Sequence, residues 1–455
     1  MTSTNAIEPG VVPAEPPRAL GFWMCLALVM GSMIGSGIFL LPAALAPFGW
    51  NAVYGWLITI AGVLCMARVF AHLARAMPES GGPYVYTRSA FGEMGGFMVA
   101  WSYWISVWSA NAAIAIAAVS YISSFAPGIA TVAGLPALLA IGLIWLFTAV
   151  NLAGVAVAGR VQLATTILKL VPFAVVVVIV AVVLGWHGGA SLAPYRHETI
   201  TLGAISAAAG LTMWPMIGFE AATVPAGRIV EPDRTIPRAT SLGALATGLF
   251  YLIVCSGIIL MMPAGVIAQS NAPFGDFVAH FWSAGPAALI SLFAVISVLG
   301  TLNGWILVQG ELPLALARDG LFPRWFGRLS SRATPARAQI VSSALASLLV
   351  ASNYAKSMGA MFVFMGMMST AITLIVYFFV MTAALAEYRR GRFGRLPTVP
   401  ILALAGLAFI VWALVGIGLG SDKWSLVLFL SGVPVYVLMR RSRPAAEAAE
   451  ETAVA

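Results

Sequence analysis

The chain has 455 residues, of which 61% are apolar or aromatic and only 9% are charged, and its mean hydropathy is +0.96. Soluble domains carry about 25% charged residues, so a water-soluble enzyme, a secreted disulfide scaffold and a disordered chain are excluded together. The net charge of +8 would suit a nucleic-acid partner if the positive groups formed one solvent-facing patch, but their distribution assigns them another role.

Residues 1–18 hold Glu8, Glu15 and four prolines before the first apolar run. They are expected to be a cytoplasmic tail, because that run is long enough to span and has no signal-peptide pattern. A spanning helix needs about 20 mostly apolar residues. On that rule twelve spans are predicted, at about 19–46, 50–76, 92–123, 130–154, 162–185, 202–227, 239–262, 285–317, 338–353, 359–386, 398–419 and 424–440. Runs such as Val175–Leu184 are apolar on all sides, as lipid-facing helices are, whereas barrel strands would alternate. The expected fold is therefore an all-α polytopic membrane protein with one domain over 19–443 and a second tail at 444–455.

Of the 24 lysines and arginines, all but Arg196, Lys356, Lys423 and Lys169 fall in one alternating set of connections and helix ends. Positive residues mark the cytoplasmic side, which places both termini there and makes the basic balance a record of topology. No nucleic-acid partner is expected; the bilayer is. The cysteines, Cys25, Cys65 and Cys255, all lie in apolar runs, with neither a disulfide framework nor a metal-ligand spacing. No metal or cofactor is expected.

Two spans are interrupted. The first carries Gly31-Ser32-Met33-Ile34-Gly35-Ser36-Gly37 and the sixth Met213-Trp214-Pro215-Met216-Ile217-Gly218-Phe219. Glycine and proline weaken helix interiors, and freed backbone groups at membrane depth persist where they line a cavity. Kinked packing helices are the plainer alternative, since small-residue runs also serve helix packing. Two breaks five spans apart favour a transporter's substrate site at the junction of inverted repeats, here about 19–185 and 202–386, with 398–440 outside them. At the first break, backbone N–H groups beside Ser36 suit a carboxylate. At the second, Pro215 frees carbonyls that can accept from an ammonium group, and a site with both features suits an α-amino acid.

Ionisable residues within the membrane are costly and few. Glu220, a turn after the second break, reads as a substrate partner or proton carrier ahead of a packing carboxyl. Lys169, before Leu170-Val171-Pro172, reads as a proton-titrating group or a fixed cation rather than a snorkelling one. Glu311 suits packing or function equally. Trp214, Trp305, Tyr103, Trp104 and Trp108 offer aromatic faces that attract cations, although most membrane tryptophans anchor or pack.

With those residues in view the chain resembles the amino acid–polyamine–organocation superfamily, most closely its bacterial arginine/agmatine antiporters, from about Leu20 to Arg443. The likeness is carried by Gly-Ser-Gly-Ile-Phe-Leu-Leu-Pro at 35–42, Pro-Glu-Ser-Gly-Gly-Pro-Tyr-Val-Tyr at 78–86, Trp-Pro-Met-Ile-Gly-Phe-Glu at 214–220 and Ala-Arg-Asp-Gly-Leu-Phe-Pro at 317–323. The resemblance implies a LeuT-like five-plus-five inverted repeat with helices 1 and 6 broken. It implies that Ser36 and Gly37 hold the substrate carboxylate, and that the carbonyls of Met33, Trp214 and Ile217 hold its amino group. It further implies Trp305 over the aliphatic and cationic part, Asn111 at the guanidinium and Ser369 beside it. Tyr103 and Glu220 would gate the middle, Tyr84 and Tyr377 the cytoplasmic side, and Trp214 the outside. The distal pocket departs from that pattern. Ser106, Val107 and Ile114 stand where those antiporters have alanine, cysteine and methionine; the serine is tolerable there, and the valine and isoleucine are expected to narrow or dry the guanidinium end. Lys169 stands where they have a small residue, as in proton-coupled or sodium-independent relatives. Dimerisation through the late helices is implied by the resemblance alone.

The first functional expectation is an inner-membrane antiporter exchanging a cationic amino acid, arginine-like, for its decarboxylated amine. The second is a proton-coupled or exchange permease for neutral amino acids. An enzyme or receptor is set aside: His72, His187, His197 and His280 scatter near span ends, and no convergent polar cluster is visible.

Overall fold

The computed structural model describes residues 21–77, 82–153, 169–223, 229–332, 334–394 and 397–440. Among them the regular elements are helices, with no strand. The helices used below are α1 (Phe22–Met33), α2 (Trp50–Ala76), α3 (Pro83–Ser123), α4 (Leu135–Leu152), α5 (Leu170–His187), α6 (Leu202–Met216), α7 (Pro232–Met261), α8 (Ala284–Arg318), α9 (Ala336–Ala351), α10 (Met358–Arg389), α11 (Thr398–Ile417) and α12 (Lys423–Arg440). Among the described residues, ten helices are long and apolar enough to cross a membrane, and α1 and α9 are shorter apolar ones of 12 and 16 residues. The chain is an all-helical, multi-pass membrane protein.

Helix boundaries follow local chemistry. The third expected span, from 92, is preceded by further helix: α3 starts at Pro83 and bends at Gly92, with φ of 77°, a conformation open to glycine and strained for side-chain-bearing residues. Residues 83–91 form a separate arm before the bend. Helix α7 starts seven residues earlier than the apolar run, since Pro232 at its first position presets a helical φ.

Both interruptions are real breaks. The ladder of α1 stops with the Ile34 N–H donating to the Met30 carbonyl at 2.8 Å. The chain then continues as a tight turn, Ser36–Ile38, and a short helix, Leu41–Leu45. Helix α6 ends at Met216, Ile217 is extended with ψ of 141°, Gly218 takes φ of 107°, and Phe219–Thr223 forms one tight turn. The breaks touch. A Cβ on Gly37 would lie 3.4 Å from the Pro215 Cα, and one on Gly218 would lie 3.1 Å from the Ser32 carbonyl.

Small residues bring the surrounding helices close, as packing among apolar neighbours requires. Gly55 of α2 meets Ala208 of α6, and Gly62 seats the Phe409 ring of α11. Gly243 of α7 faces Val29 of α1, and Gly248 faces Ile60. At the arginine-bearing end, buried Glu387 of α10 accepts from Arg390 at 2.8 Å, Arg392 at 2.6 Å and the Ser89 hydroxyl at 3.0 Å. The Ser89 bond, with that from Arg390 to the Ser89 carbonyl at 2.8 Å, ties α10 to the arm of α3.

Candidate substrate site at the paired helix breaks

The two breaks and helices α3, α8 and α10 enclose a cavity of about 50 Å³. The C-terminal ends of α1 and α6 both reach it, through Met33 and through Trp214, Pro215 and Ile217. Two negative dipole ends at one place favour a cation such as an ammonium group. The glycine turn supplies Gly35 and Gly37 to the same lining, so backbone donors and acceptors occur side by side.

Most of the expected residues gather here. Met33, Gly37, Tyr103, Ser106, Trp214, Ile217, Trp305 and Ser369 line the cavity, as do Val107 and Ile114. The Ser36 backbone lies in the turn between the breaks. The Met33 carbonyl already accepts from the Tyr251 hydroxyl at 2.9 Å, which fixes the end of α1. Ser369 donates to the Ser106 carbonyl at 2.8 Å, which ties α10 to α3 at the cavity wall, while the Ser106 hydroxyl donates to the Tyr103 carbonyl at 2.8 Å within α3. Thr301 and Thr373 also line it. Each lies four residues from a predicted residue, Trp305 and Ser369, on the same helix face, and that spacing is the signal by which they could have been found.

One face of α10 runs through the whole site. Towards the end opposite the arginines, Phe362 packs on the Trp214 ring at 4.7 Å between centroids. Gly366 makes room for that ring, because a Cβ there would lie 2.5 Å from it. Ser369 and Thr373 follow at the cavity, then Tyr377 towards the arginine-bearing end. Tyr377 is fully buried against Phe70 and Phe219, at 5.5 and 5.1 Å, and Phe219 meets Phe70 at 5.4 Å. The cavity is thus covered by aromatic layers on both sides.

Glu220 lies in the second layer with 1% of its surface exposed. Its carboxyl accepts from the Tyr377 hydroxyl at 2.7 Å, the Gly218 N–H at 3.1 Å and the Tyr103 hydroxyl at 3.5 Å. Tyr103 also lines the cavity, so one side chain joins the carboxyl to it. Tyr84 stands apart from this group; its hydroxyl accepts from Arg88 at 3.1 Å, on the arm of α3. Glu311 is exposed and outside the cavity. The first four residues of the 78–86 motif lie outside the described residues.

Asn111 sits behind the cavity wall, between its lining neighbours Ala110, Val107 and Ile114. A hydrogen-bonded chain sets its polarity. Thr148 donates to the Ile144 carbonyl at 2.7 Å, so the Ser343 hydroxyl, 2.6 Å away, must donate to Thr148. Ser343 therefore accepts from the Gln309 amide NH₂ at 2.8 Å, and the Gln309 carbonyl accepts from the Asn111 NH₂ at 2.8 Å. The Asn111 Oδ1 is left as a buried acceptor with no partner among the described residues. Gln309 follows Trp305 by four residues on α8. It was not singled out in the sequence because its role depends on three other helices.

Lys169 is 3% exposed at the start of α5, beside Leu170 at 51%. Among the described residues, no carboxylate lies within ion-pair reach of it. It shares a helix face with Phe173 four residues on. Phe173 packs on Phe39 at 5.1 Å and Tyr251 at 6.2 Å, so this face of α5 addresses the segment after the first break. Residues 154–168, which precede Lys169, lie outside the described residues.

A multi-pass helical protein with a cavity between two interrupted helices has the build of a solute transporter. Residues 20–439 match the family model described as amino acid permease. The chain belongs to that family, within the amino acid–polyamine–organocation superfamily. It is 34% identical over 334 residues to the cadaverine/lysine antiporter of Escherichia coli (strain K12), covering 72% of this chain and 73% of that one. It is 32% identical over 369 residues to a putative arginine/ornithine antiporter of Bacillus subtilis (strain 168), covering 74% and 78%. A putrescine transporter, PotE, of Haemophilus influenzae is 27% identical over 424 residues, covering 92% and 96%.

Proposed function

We propose that the chain is an antiporter exchanging a cationic amino acid, of the arginine or lysine type, for its decarboxylated amine. It spans the inner membrane twelve times with both termini cytoplasmic, and its first ten spans form two inverted repeats. Exchange proceeds by alternating access around the paired breaks. The glycine turn binds the carboxylate, the ends of α1 and α6 bind the α-amino group, and Trp305 covers the aliphatic stem. The distal cation is held by the Asn111 carbonyl. The observation that carries the cationic reading is this acceptor, without a partner among the described residues and set behind the wall between Val107 and Ile114, since burying an unmet carbonyl is costly and a terminal N–H donor passing between those side chains would satisfy it. The name of the related cadaverine/lysine antiporter supports exchange of an amino acid for its amine, and that of the putative arginine/ornithine antiporter supports cationic amino acids as substrates.

Binding to the purified protein tests this, read as a change in tryptophan fluorescence because Trp214 and Trp305 line the cavity. Saturable responses are expected to lysine, arginine, cadaverine and agmatine, with none to alanine or leucine. A saturable response to leucine with none to the cations would contradict the reading. In the same assay Gln309→Leu is expected to weaken binding of the cations about tenfold, the scale of one hydrogen bond to a charged group. Asn111 can then turn its NH₂ towards the ligand. Unchanged affinity in that variant would remove Gln309 from the orienting chain.

Glu220 senses protons or substrate charge through Tyr103, and Lys169 couples protonation to movement of the broken segment. Lys169→Ala is expected to alter the pH profile of exchange or its turnover more than substrate affinity. A variant with wild-type rate and pH profile would show that Lys169 has no part in coupling.

A further inference from the structure

A second cavity lies away from the substrate site, at the arginine-bearing end. It is a groove of about 840 Å³ between α1, α2, α7 and α11. Arg68, His72 and Arg75 reach it from α2, and Asp233, Arg234 and Arg238 from α7. Four guanidinium groups thus share the groove with the Asp233 carboxylate, and Arg234 also meets Glu231, outside the lining, at 3.9 Å with both side chains more than half exposed. The Arg75–Asp233 contact is 3.8 Å long and both side chains are more than half exposed, so it is worth little. Arg68 donates from Nε to the Ser241 hydroxyl at 3.0 Å, a bond that orients the guanidinium without neutralising it.

The two helices run in opposite directions here, since Arg68 meets Ser241 and Arg75 meets Asp233. Each carries a stripe that turns from apolar to basic at the same depth. On α2 the residues Leu57, Ala61, Cys65, Arg68, His72 and Arg75 follow the three-and-four spacing of one helix face. On α7 the stripe from Ile253 through Leu249, Leu245 and Leu242 reaches Arg238 and Arg234. Leu57, Leu242, Leu249 and Ile253 are 44–48% exposed, as residues facing acyl chains are. Within the groove, Leu64, Leu245 and Leu402 continue that apolar surface up to the arginines.

We propose that this groove is a binding site for an anionic phospholipid. The phosphate sits among Arg68, Arg234 and Arg238, and an acyl chain lies against Leu242, Leu245 and Leu402. Basic pockets between membrane helices suit such head groups, and the apolar stripe distinguishes a lipid from a free phosphate, which needs no such wall. Phe22 of α1 and Leu402 of α11 both contribute to the groove, so the lipid bridges the helix before the first break to one outside the substrate site.

Native mass spectrometry of the full-length protein, released from phosphatidylcholine nanodiscs containing phosphatidylglycerol, tests the site. The unaltered protein is expected to retain phosphatidylglycerol in preference to phosphatidylcholine. The double variant Arg68→Gln with Arg238→Gln should lose that preference about tenfold or more. Arg68→Lys with Arg238→Lys should keep it, which separates charge loss from misfolding. Arg328→Gln with Arg332→Gln, exposed arginines remote from the groove, should keep it as well. Equal loss in this last pair would reduce the effect to general surface charge and overturn the proposal. So would displacement of the lipid by excess inorganic phosphate, together with unchanged retention in Leu242→Gln with Leu245→Gln. That combination would mark a free-anion site.

Discussion

Replacing Trp305 with leucine is expected to weaken uptake of cationic substrates about thirtyfold, from the roughly 2 kcal/mol that a desolvated aromatic face offers a cation. Trp305 is half-buried at the cavity wall, one turn from Gln309 and on the same helix face. A cation extending from the helix breaks towards Asn111 must pass it. Leucine keeps an apolar surface but has no π-face, so apolar contact with the substrate's stem survives while the attraction for its charge is lost. The check is transport measured across a series that varies the distal group, from arginine and lysine to neutral amino acids of similar length. An equal loss for charged and neutral members would mean that Trp305 acts by shape alone.

A larger effect is expected from a single methyl group at the second break. Gly218→Ala should abolish measurable exchange. The glycine has φ of 107°, where side-chain-bearing residues are strained, and its Cβ would press on the Ser32 backbone at 3.1 Å. Strain of this kind costs about 1–3 kcal/mol. Relief would separate the two breaks and turn away the Gly218 N–H that Glu220 accepts from. Gly37→Ala is the contrasting variant, because its Cβ would sit at 3.4 Å from Pro215, an ordinary contact, and its exchange should be reduced far less. Wild-type rates in Gly218→Ala would show that the contact between the breaks is not needed for transport.

The sequence revealed the elements whose cause is local. Long apolar runs announce membrane helices, and glycine and proline inside them announce the interruptions at 31–37 and 213–219. Span starts shifted where a helix extends beyond its apolar stretch, as at Pro232, or bends within one, as at Gly92. The site was legible where a motif carries it. It was hidden where long-range packing decides. Phe362 and Gly366 look like ordinary membrane residues until the Trp214 ring is placed between them. Gln309 acquires its role from Asn111, Ser343 and Thr148 on three other helices. Tyr84 and Tyr377 were paired by resemblance, yet only Tyr377 reaches Glu220, because the bend at Gly92 carries Tyr84 with the arm of α3.

Strict exchange is tested most directly by counterflow in proteoliposomes. Vesicles containing the protein and loaded with unlabelled lysine or arginine, beside empty vesicles, are supplied with radiolabelled lysine, arginine, cadaverine and agmatine at acidic and neutral pH. Uptake of an amino acid and its amine into loaded vesicles alone is the result expected of a cationic amino acid–amine antiporter. Proton-driven uptake of alanine or leucine into empty vesicles, with no exchange of the cations, would contradict it and assign the cavity to neutral amino acids.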